Sequence, residues 1–427
     1  MIPYHASSEK ILDQFVDAVK GQKLWSERSS LNNTINPFML YITKNIPFYK
    51  NSLRTSKVTD VFNSFPLVSK KDILNDYDKF ISTSISKDCV KESCSTGTTS
   101  LPIKVIRDFE SWYSTNYAIF NEVLTYANIK INLKPGQLGA VVLNDNPDRF
   151  PSTVINPSLN RSIMHQLILG KGENEDLKLI KILHDQHIPV LHGRPRTLMR
   201  LMQLDQEVKS NNRISPNTIF VSGDTLYSDF RKKLESWFLC KVSNVYSLEE
   251  GGPVGLECQH KKGIHVLLDR IKLEVLLNNG SIESTGEGEL VITNINNWAM
   301  AFIRYRTGDY GKVIRDRCKC GYKGQTILNL SGRDIPYFII SSRLVNPSIL
   351  NPIFEKLPIK EFQIIQNKDF TFIIKWVPSS ISIDNNEVHQ KLLLECSRKL
   401  GNMQIQSIQV DSIGKNGMKV QRFVRVI

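Results

Sequence analysis

Residues Lys91 to Lys104 read KESCSTGTTSLPIK, and this stretch gathers the groups a polyphosphate needs. Ser95, Thr96, Thr98, Thr99 and Ser100 supply hydroxyl donors, Gly97 lets the backbone turn its N–H groups outward, and Lys104 adds a cation beyond Pro102. Outward N–H groups beside a cation make an anion-binding concavity. The pattern G-x-x-x-x-G-K-[ST] is absent, so this is not a Walker P-loop. A Ser/Thr-rich surface turn has the same composition, so other residues must decide. A second constellation is Cys318-Lys319-Cys320, which with Cys258 and His265 makes a Cys3His set, a common tetrahedral zinc ligation. C-x-C is tighter than the usual C-x-x-C, and His260 can stand in for His265. Small buried cysteines beside an ordinary histidine are the plain alternative. A third candidate is His192, which follows the apolar run Ile188–Leu191, where loops after strands carry ligand contacts. A structural histidine is the alternative there.

These residues need elements to position them. Apolar residues at helical spacing (Ile11, Phe15, Val19) predict helices over 8–44, ended near Ile46-Pro47. Ser69 is placed to cap a short helix that follows it. Phe109 to Ala127 reads as an amphipathic helix rich in aromatics, more in keeping with a core helix than with a pocket wall. Strand-like runs at 139–143, 188–191, 219–221 and 240–245 alternate with helices at 177–183, 196–209 and beyond, which argues for an α/β architecture. Residues 144–160, with three prolines, read as loop-rich and could line a pocket. Near the end, 361–366 and 370–376 alternate like paired strands, and 386–400 reads as a helix.

Length and composition bound the rest. A chain of 427 residues suits one large and one small domain or two similar ones. No run of about 18 apolar residues exists, so no membrane span is expected. The N-terminus lacks a basic region followed by an apolar one, so a signal peptide is not expected and the reading is cytoplasmic. Seven cysteines at irregular spacing argue against a disulfide framework. The net charge of +13 suits an anionic ligand. Nucleic acid is the rival partner, but the basic residues are scattered and no nucleic-acid-binding signature stands out.

STGTTSLPIK resembles the phosphate-loop signature [ST]-[SG]-G-T-T-G-x-P-K of the adenylate-forming superfamily, which includes acyl-CoA synthetases and adenylation domains. Ser100 replaces a glycine, and Ile103 separates Pro102 from Lys104. "IPFYK" and "FPLVSKKDI" resemble the N-terminal stretch of phenylacetate–CoA ligase-like enzymes. Ser222-Gly223 resembles a strand and turn beside the adenine. Tyr246-Ser247-Leu248-Glu249-Glu250 resembles Y-G-x-[TS]-E, with Ser247 for glycine and Glu249 for the hydroxyl residue. The series from Glu257-Cys258 through GELVIT (288–293) to IRYRTGD (303–309) resembles phenylacetate–CoA ligase and capsule-biosynthesis-type ligases. Gly332-Arg333 resembles the junction to the family's small domain, with Ile335-Pro336 at its hinge, and Gly417 to Phe423 resembles its closing G-K-x-x-R segment.

The resemblance implies a large N-terminal adenylate-forming domain, 1–332, of several sheets with packed helices, and a small mobile α+β domain, 333–427. It implies nucleotide contacts from Ser95, Thr96, Gly97, Thr98, Thr99, Gly223, Tyr246, Asp309 and Arg333. Tyr246 would stack on adenine, Asp309 would accept both ribose hydroxyls, and Glu250 would hold Mg2+. Lys104, Glu250 and Lys419 would neutralise charge as a carboxylate attacks the α-phosphate of ATP. The product is an acyl-adenylate, and the acyl group then passes to coenzyme A or to carrier-protein phosphopantetheine. Transfer to an amine is the alternative, and a nucleotide- or nucleic-acid-binding protein without ligase chemistry is the remote one. The acid is expected to be aryl or otherwise small, and a homodimer is left open. Pro336 restricts its neighbours, which bears on the domain rotation that the thioester step uses.

Overall fold

A computed structural model describes residues 31–50, 64–86, 90–94, 103–144, 151–208, 213–331, 338–341, 343–345, 347–379, 384–401, 403–413 and 422–426. The chain divides into two compact units, Met1–Leu330 and Ser331–Ile427.

In the first unit, helix α1 (Leu31–Asn45) stops where Ile46 goes extended ahead of Pro47. Phe38, Ile42, Ile46 and Tyr49 are all buried in the core beneath it. Ser69 caps α2 (Lys70–Asn75) in a capping box. The Ser69 side chain and backbone N–H both bond the Asp72 carboxylate and hold its pKa below the ordinary range. Strands β1 (Val90–Cys94) and β2 (Lys104–Asp108) pair antiparallel, with Cys94 opposite Lys104. Helix α3 (Phe109–Tyr113) then runs through a π turn (Ser114–Ala118) into α4 (Ile119–Tyr126). The expected single helix is there, with one turn widened and underwound.

The centre of the unit is a doubly covered sheet. Strands β3 (Leu138–Asn144), β4 (Ser152–Asn156) and β5 (Ser162–Ile168) come first. Helix α5 (Glu173–His184) leads to β6 (Ile188–Gly193), α6 (Pro195–Glu207) to β7 (Pro216–Val221), and α7 (Ser228–Phe238) to β8 (Lys241–Leu248). β5, β3, β6, β7 and β8 lie side by side and parallel, as helical crossovers require. Alternate residues serve opposite faces. Val141, Leu191, Ile219 and Val221 pack on one side with Leu183, Leu198 and Leu234. Ala140, Val190 and Phe220 pack on the other with Phe120, Val123 and Leu124 of α4. Within the loop-rich stretch 144–160, β4 pairs antiparallel with β5. Its β-branched Thr153-Val154-Ile155 lie between Pro151 and Pro157, so the prolines bracket this edge strand rather than interrupt it.

The sheet continues antiparallel through β9 (Gly252–Glu257), β10 (Ile264–Val266), β11 (Ile271–Leu277), β12 (Ile282–Glu283), β13 (Gly286–Asn294), β14 (Tyr305–Arg315) and β15 (Gln325–Ser331). Thirteen described strands result, ordered β12-β11-β13-β14-β15-β10-β9-β8-β7-β6-β3-β5-β4.

The second unit is α+β. A short hairpin, β16 (Phe338–Ile340) and β17 (Arg343–Val345), precedes helix α8 (Asn351–Lys356). β18 (Ile359–Gln366) and β19 (Phe372–Pro378) pair antiparallel, as their alternation predicts. Helix α9 (Asn385–Leu400), capped by Asp384, leads to β20 (Ile405–Gln409), and β21 (Phe423–Arg425) completes the order β20-β19-β18-β21. Val388, Leu392 and Cys396 of α9 cover Ile364, Phe372 and Trp376 in its core. Among the described residues no helix is long and apolar enough to cross a membrane.

Candidate active site

In an open parallel sheet, ligands collect beyond the carboxyl ends of the strands. Here that edge carries His192, Ser222, Gly223 and Tyr246. Gly223 has φ +83°, and a Cβ there would lie 3.4 Å from Arg194 Nε. The positive φ is what favours glycine there. Tyr246, on β8, donates its hydroxyl to Asp309 Oδ2, on β14, at 2.7 Å. Both residues are buried. Thr307 supports the aspartate: its Oγ1 accepts from Asp309 N at 3.0 Å and donates to the Leu290 carbonyl at 2.7 Å. Residues assigned separately to adenine and ribose thus meet across the sheet.

Glu250 lies in the turn between β8 and β9. It is 1% exposed and accepts from the Tyr305 hydroxyl at 2.8 Å. In the same turn Gly252 has φ +66°, and a Cβ there would come 3.0 Å from Thr115 Oγ1 on the π turn. The positive φ favours glycine there, and a side chain would press Thr115 aside. Such π bulges recur at functional sites.

Arg107, on β2, reaches the same turn. Nη1 donates to Glu249 Oε1 at 3.0 Å and to Ser93 Oγ, and Nη2 donates to the Glu249 carbonyl. A single guanidinium therefore ties the hairpin flanking residues 95–102 to the turn that carries Glu250. Lys104 points to Glu92, with Nζ 2.6 Å from Oε2, and both are about half exposed. Such a pair contributes about 0–1 kcal/mol, so Lys104 can change partner at little cost. Ser95, Thr96, Gly97, Thr98 and Thr99 of the phosphate loop, Arg333 and Lys419 lie outside the described residues, as does Ile335-Pro336.

Cys258, His265, Cys318 and Cys320 do come together. Their ligand atoms all lie within 4.8 Å of one another. Cys258 Sγ is 3.8 Å from Cys318 Sγ, and Cys320 Sγ is 3.4 Å from His265 Nε2. With Zn–S near 2.3 Å and Zn–N near 2.0 Å, the edges of a tetrahedral site are about 3.4–3.8 Å. His265 Nδ1 lies 3.0 Å from Thr326 Oγ1, and its ring stacks on Tyr322 at 4.3 Å. That outer bond leaves Nε2 as the ligand atom, a usual arrangement in metal sites. The donor set fits zinc and selects His265 over His260.

Sequence reasoning missed Arg107, Tyr305 and the π turn. Ser247 for glycine and Glu249 for a hydroxyl residue were the visible signs of an altered turn. Arg107 itself looks like any strand residue.

No family model matches the chain. Phenylacetate-coenzyme A ligase of Thermus thermophilus is 21% identical over 369 residues, 81% of this chain and 79% of that protein. The Pseudomonas putida enzyme of the same name is 21% identical over 412 residues, 92% of this chain and 87% of its own. Among solved structures, 2-hydroxyisobutyryl-CoA ligase in the postadenylation state has a TM-score of 0.73 at 16% identity, covering 93% of this chain and 89% of its own. ATP-bound MatB from Rhodopseudomonas palustris has a TM-score of 0.53 at 16% identity, covering 80% and 68%. The structural likeness shows the fold. The chain is thus similar in sequence to phenylacetate-coenzyme A ligases and similar in fold to 2-hydroxyisobutyryl-CoA ligase and MatB.

Proposed function

We propose that this AMP-forming ligase activates a small or aryl carboxylic acid with ATP and passes the acyl group to a thiol. A carboxylate oxygen attacks the α-phosphorus, the α–β phosphoanhydride bond breaks, and pyrophosphate leaves. The thiol sulfur then attacks the acyl carbon and AMP departs. The observation that carries this reading is the Tyr246–Asp309 bond beside the buried Glu250. It supports a site with a ring that can stack, a carboxylate with lone pairs for a diol and a second carboxylate for a hard cation. Glu250 would hold Mg2+ against the phosphates. Lys104 and the loop 95–99 would take the phosphates, Gly223 would let the adenine approach the backbone, and Arg333 would contact the nucleotide. Lys419 would neutralise the attacking centre. When bound, the cation supplies charge stabilisation for phosphoryl transfer.

Coenzyme A is the favoured acceptor because both curated relatives are coenzyme A ligases. Carrier-protein phosphopantetheine and an amine are the alternatives. Cys258, His265, Cys318 and Cys320 would hold a structural zinc, since four protein ligands leave no open position for catalysis. A cytoplasmic location belongs to the same proposal.

The test is ATP–pyrophosphate exchange over aryl, aliphatic and amino acids, followed by coenzyme A and then amines. Exchange with at least one acid, lost in Asp309→Ala, is expected. A wild-type protein that exchanges with no acid overturns the proposal.

A further inference from the structure

The aromatic side of the sheet ends in one residue that its surroundings do not explain. His192 is the penultimate residue of β6, in register with Val142 on β3 and Phe220 on β7. The same face carries Ala140, Val190 and Phe220 in an apolar core with Phe120. The imidazole stacks on Phe220 at 4.3 Å and meets Phe120 edge-on at 5.9 Å. Its Nε2 lies 2.9 Å from Ser222 Oγ. Its Nδ1 is shut off from solvent and has no hydrogen-bond partner among the described residues. Buried polar atoms in folded proteins nearly always have a partner, and one without it calls for a ligand, a water or a function. An apolar side chain would fill this place between two phenylalanines with no polar atom left over.

We propose that His192 is a specificity-determining residue, and that its Nδ1 hydrogen-bonds a hydroxyl group on the carboxylic acid that the site activates. This rests on the ligase reading given above. His192 stands on the strand edge that carries Gly223 and Tyr246, next to strands whose ends flank the nucleotide residues. The Ser222 hydroxyl can donate to Nε2, which makes Nδ1–H a donor, or accept from Nε2–H, which makes Nδ1 an acceptor. A hydroxyl on the substrate satisfies either tautomer, because it both donates and accepts. Burial pushes the imidazole pKa down to about 4. The ring is neutral at physiological pH, which suits a neutral dipole better than a second carboxylate. The two phenylalanines leave the remainder of the contact apolar. The acid is therefore hydroxylated on an otherwise apolar aromatic or short aliphatic frame.

The experiment compares matched acids in ATP–pyrophosphate exchange: hydroxybenzoates against benzoate, hydroxyphenylacetates against phenylacetate, and hydroxybutyrates against butyrate. The wild-type protein should favour the best hydroxylated acid over its unsubstituted partner by about 100-fold or more in kcat/KM, because a site built to bond a hydroxyl rejects the analogue lacking it. His192→Leu should bring that ratio close to one by losing the hydroxylated acid while keeping the unsubstituted one, with KM for MgATP unchanged. His192→Gln, which keeps polar atoms, should retain part of the preference and serves if the leucine variant folds poorly. Exchange in which the wild-type protein shows no hydroxyl preference, or in which His192→Leu leaves the preference intact, overturns the role of His192 and leaves the ligase reading standing. Exchange with no acid at all overturns both.

Discussion

Asp309 and Tyr246 are 63 residues apart in sequence and 2.7 Å apart in space. Each carries a different part of the nucleotide assignment, so the bond between them separates two effects. Tyr246→Phe keeps the ring proposed to stack on the adenine and removes the hydroxyl that bonds the carboxylate. A hydrogen bond to a charged group is worth about 1.5–3 kcal/mol, so KM for ATP should rise about 10- to 100-fold. Asp309→Ala removes the carboxylate itself and should cost more in kcat/KM. Exchange kinetics at varied ATP check the ranking, and a Tyr246→Phe protein as impaired as Asp309→Ala would mean that the tyrosine does more than orient. Asp309 stands in a long, ordered motif, whereas the motif of Tyr246 departs from the pattern at Ser247 and Glu249. Tyr305, which donates to Glu250, was not legible as a site residue. It lies within a motif, yet its contact depends on how β14 passes the turn after β8, and no local spacing encodes that.

At the scale of elements, two side-chain clusters tie separate connections together. The first centres on Arg107, with 3% of its side chain exposed against 33% for Glu249. Deleting the guanidinium strands a partly buried carboxylate and frees the β1–β2 hairpin from the Glu250 turn. Arg107→Ala should lose about 1.5–3 kcal/mol of stability and raise KM for MgATP. A double-mutant cycle with Glu249→Ala should show a coupling of about 0.5–3 kcal/mol, and additivity within error would mean the two groups do not act together. The second is the Cys3His set, which joins the end of β9, β10 and the β14–β15 connection. If the set holds zinc as proposed, binding it would also be folding free energy, and about one zinc per chain is expected by elemental analysis. Cys318→Ser should lower the melting temperature and release the metal. Protein prepared without chelator that holds no zinc would sink this assignment. Strands and helices of the parallel core were legible because their apolar runs alternate cleanly with helical ones. The π turn was not, because its residues are those of an ordinary helix and the extra residue appears only against Gly252. β4 was hidden by the prolines on either side of it.

At the scale of the whole molecule, each of the two units has its own core, and the second is built around Phe362, Ile364, Phe372, Trp376 and Phe423. The chain's resemblance to adenylate-forming enzymes gives this unit one catalytic group, Lys419, in the segment between β20 and β21 that lies outside the described residues. Arg422 is the neighbouring cation that could take the role instead. The structure gives Arg422 a local task, since its guanidinium lies 4.7 Å from the centre of the Phe362 ring. A cation–π contact of this kind is worth about 0.5–1 kcal/mol when exposed and more when desolvated. Arg422→Ala should therefore cost stability on that scale and leave the adenylation rate near normal. Lys419→Ala should do the reverse. An ammonium that acts on charge developing at the α-phosphate stabilises the transition state, and losing one such contact costs roughly 100-fold or more in rate. Acyl transfer from a preformed acyl-adenylate should change much less, because no carboxylate attacks phosphorus in that step. Pyrophosphate exchange and single-turnover transfer, measured on both variants beside their melting temperatures, separate the two cations. Normal exchange in Lys419→Ala with lost exchange in Arg422→Ala would move the role three residues along the chain.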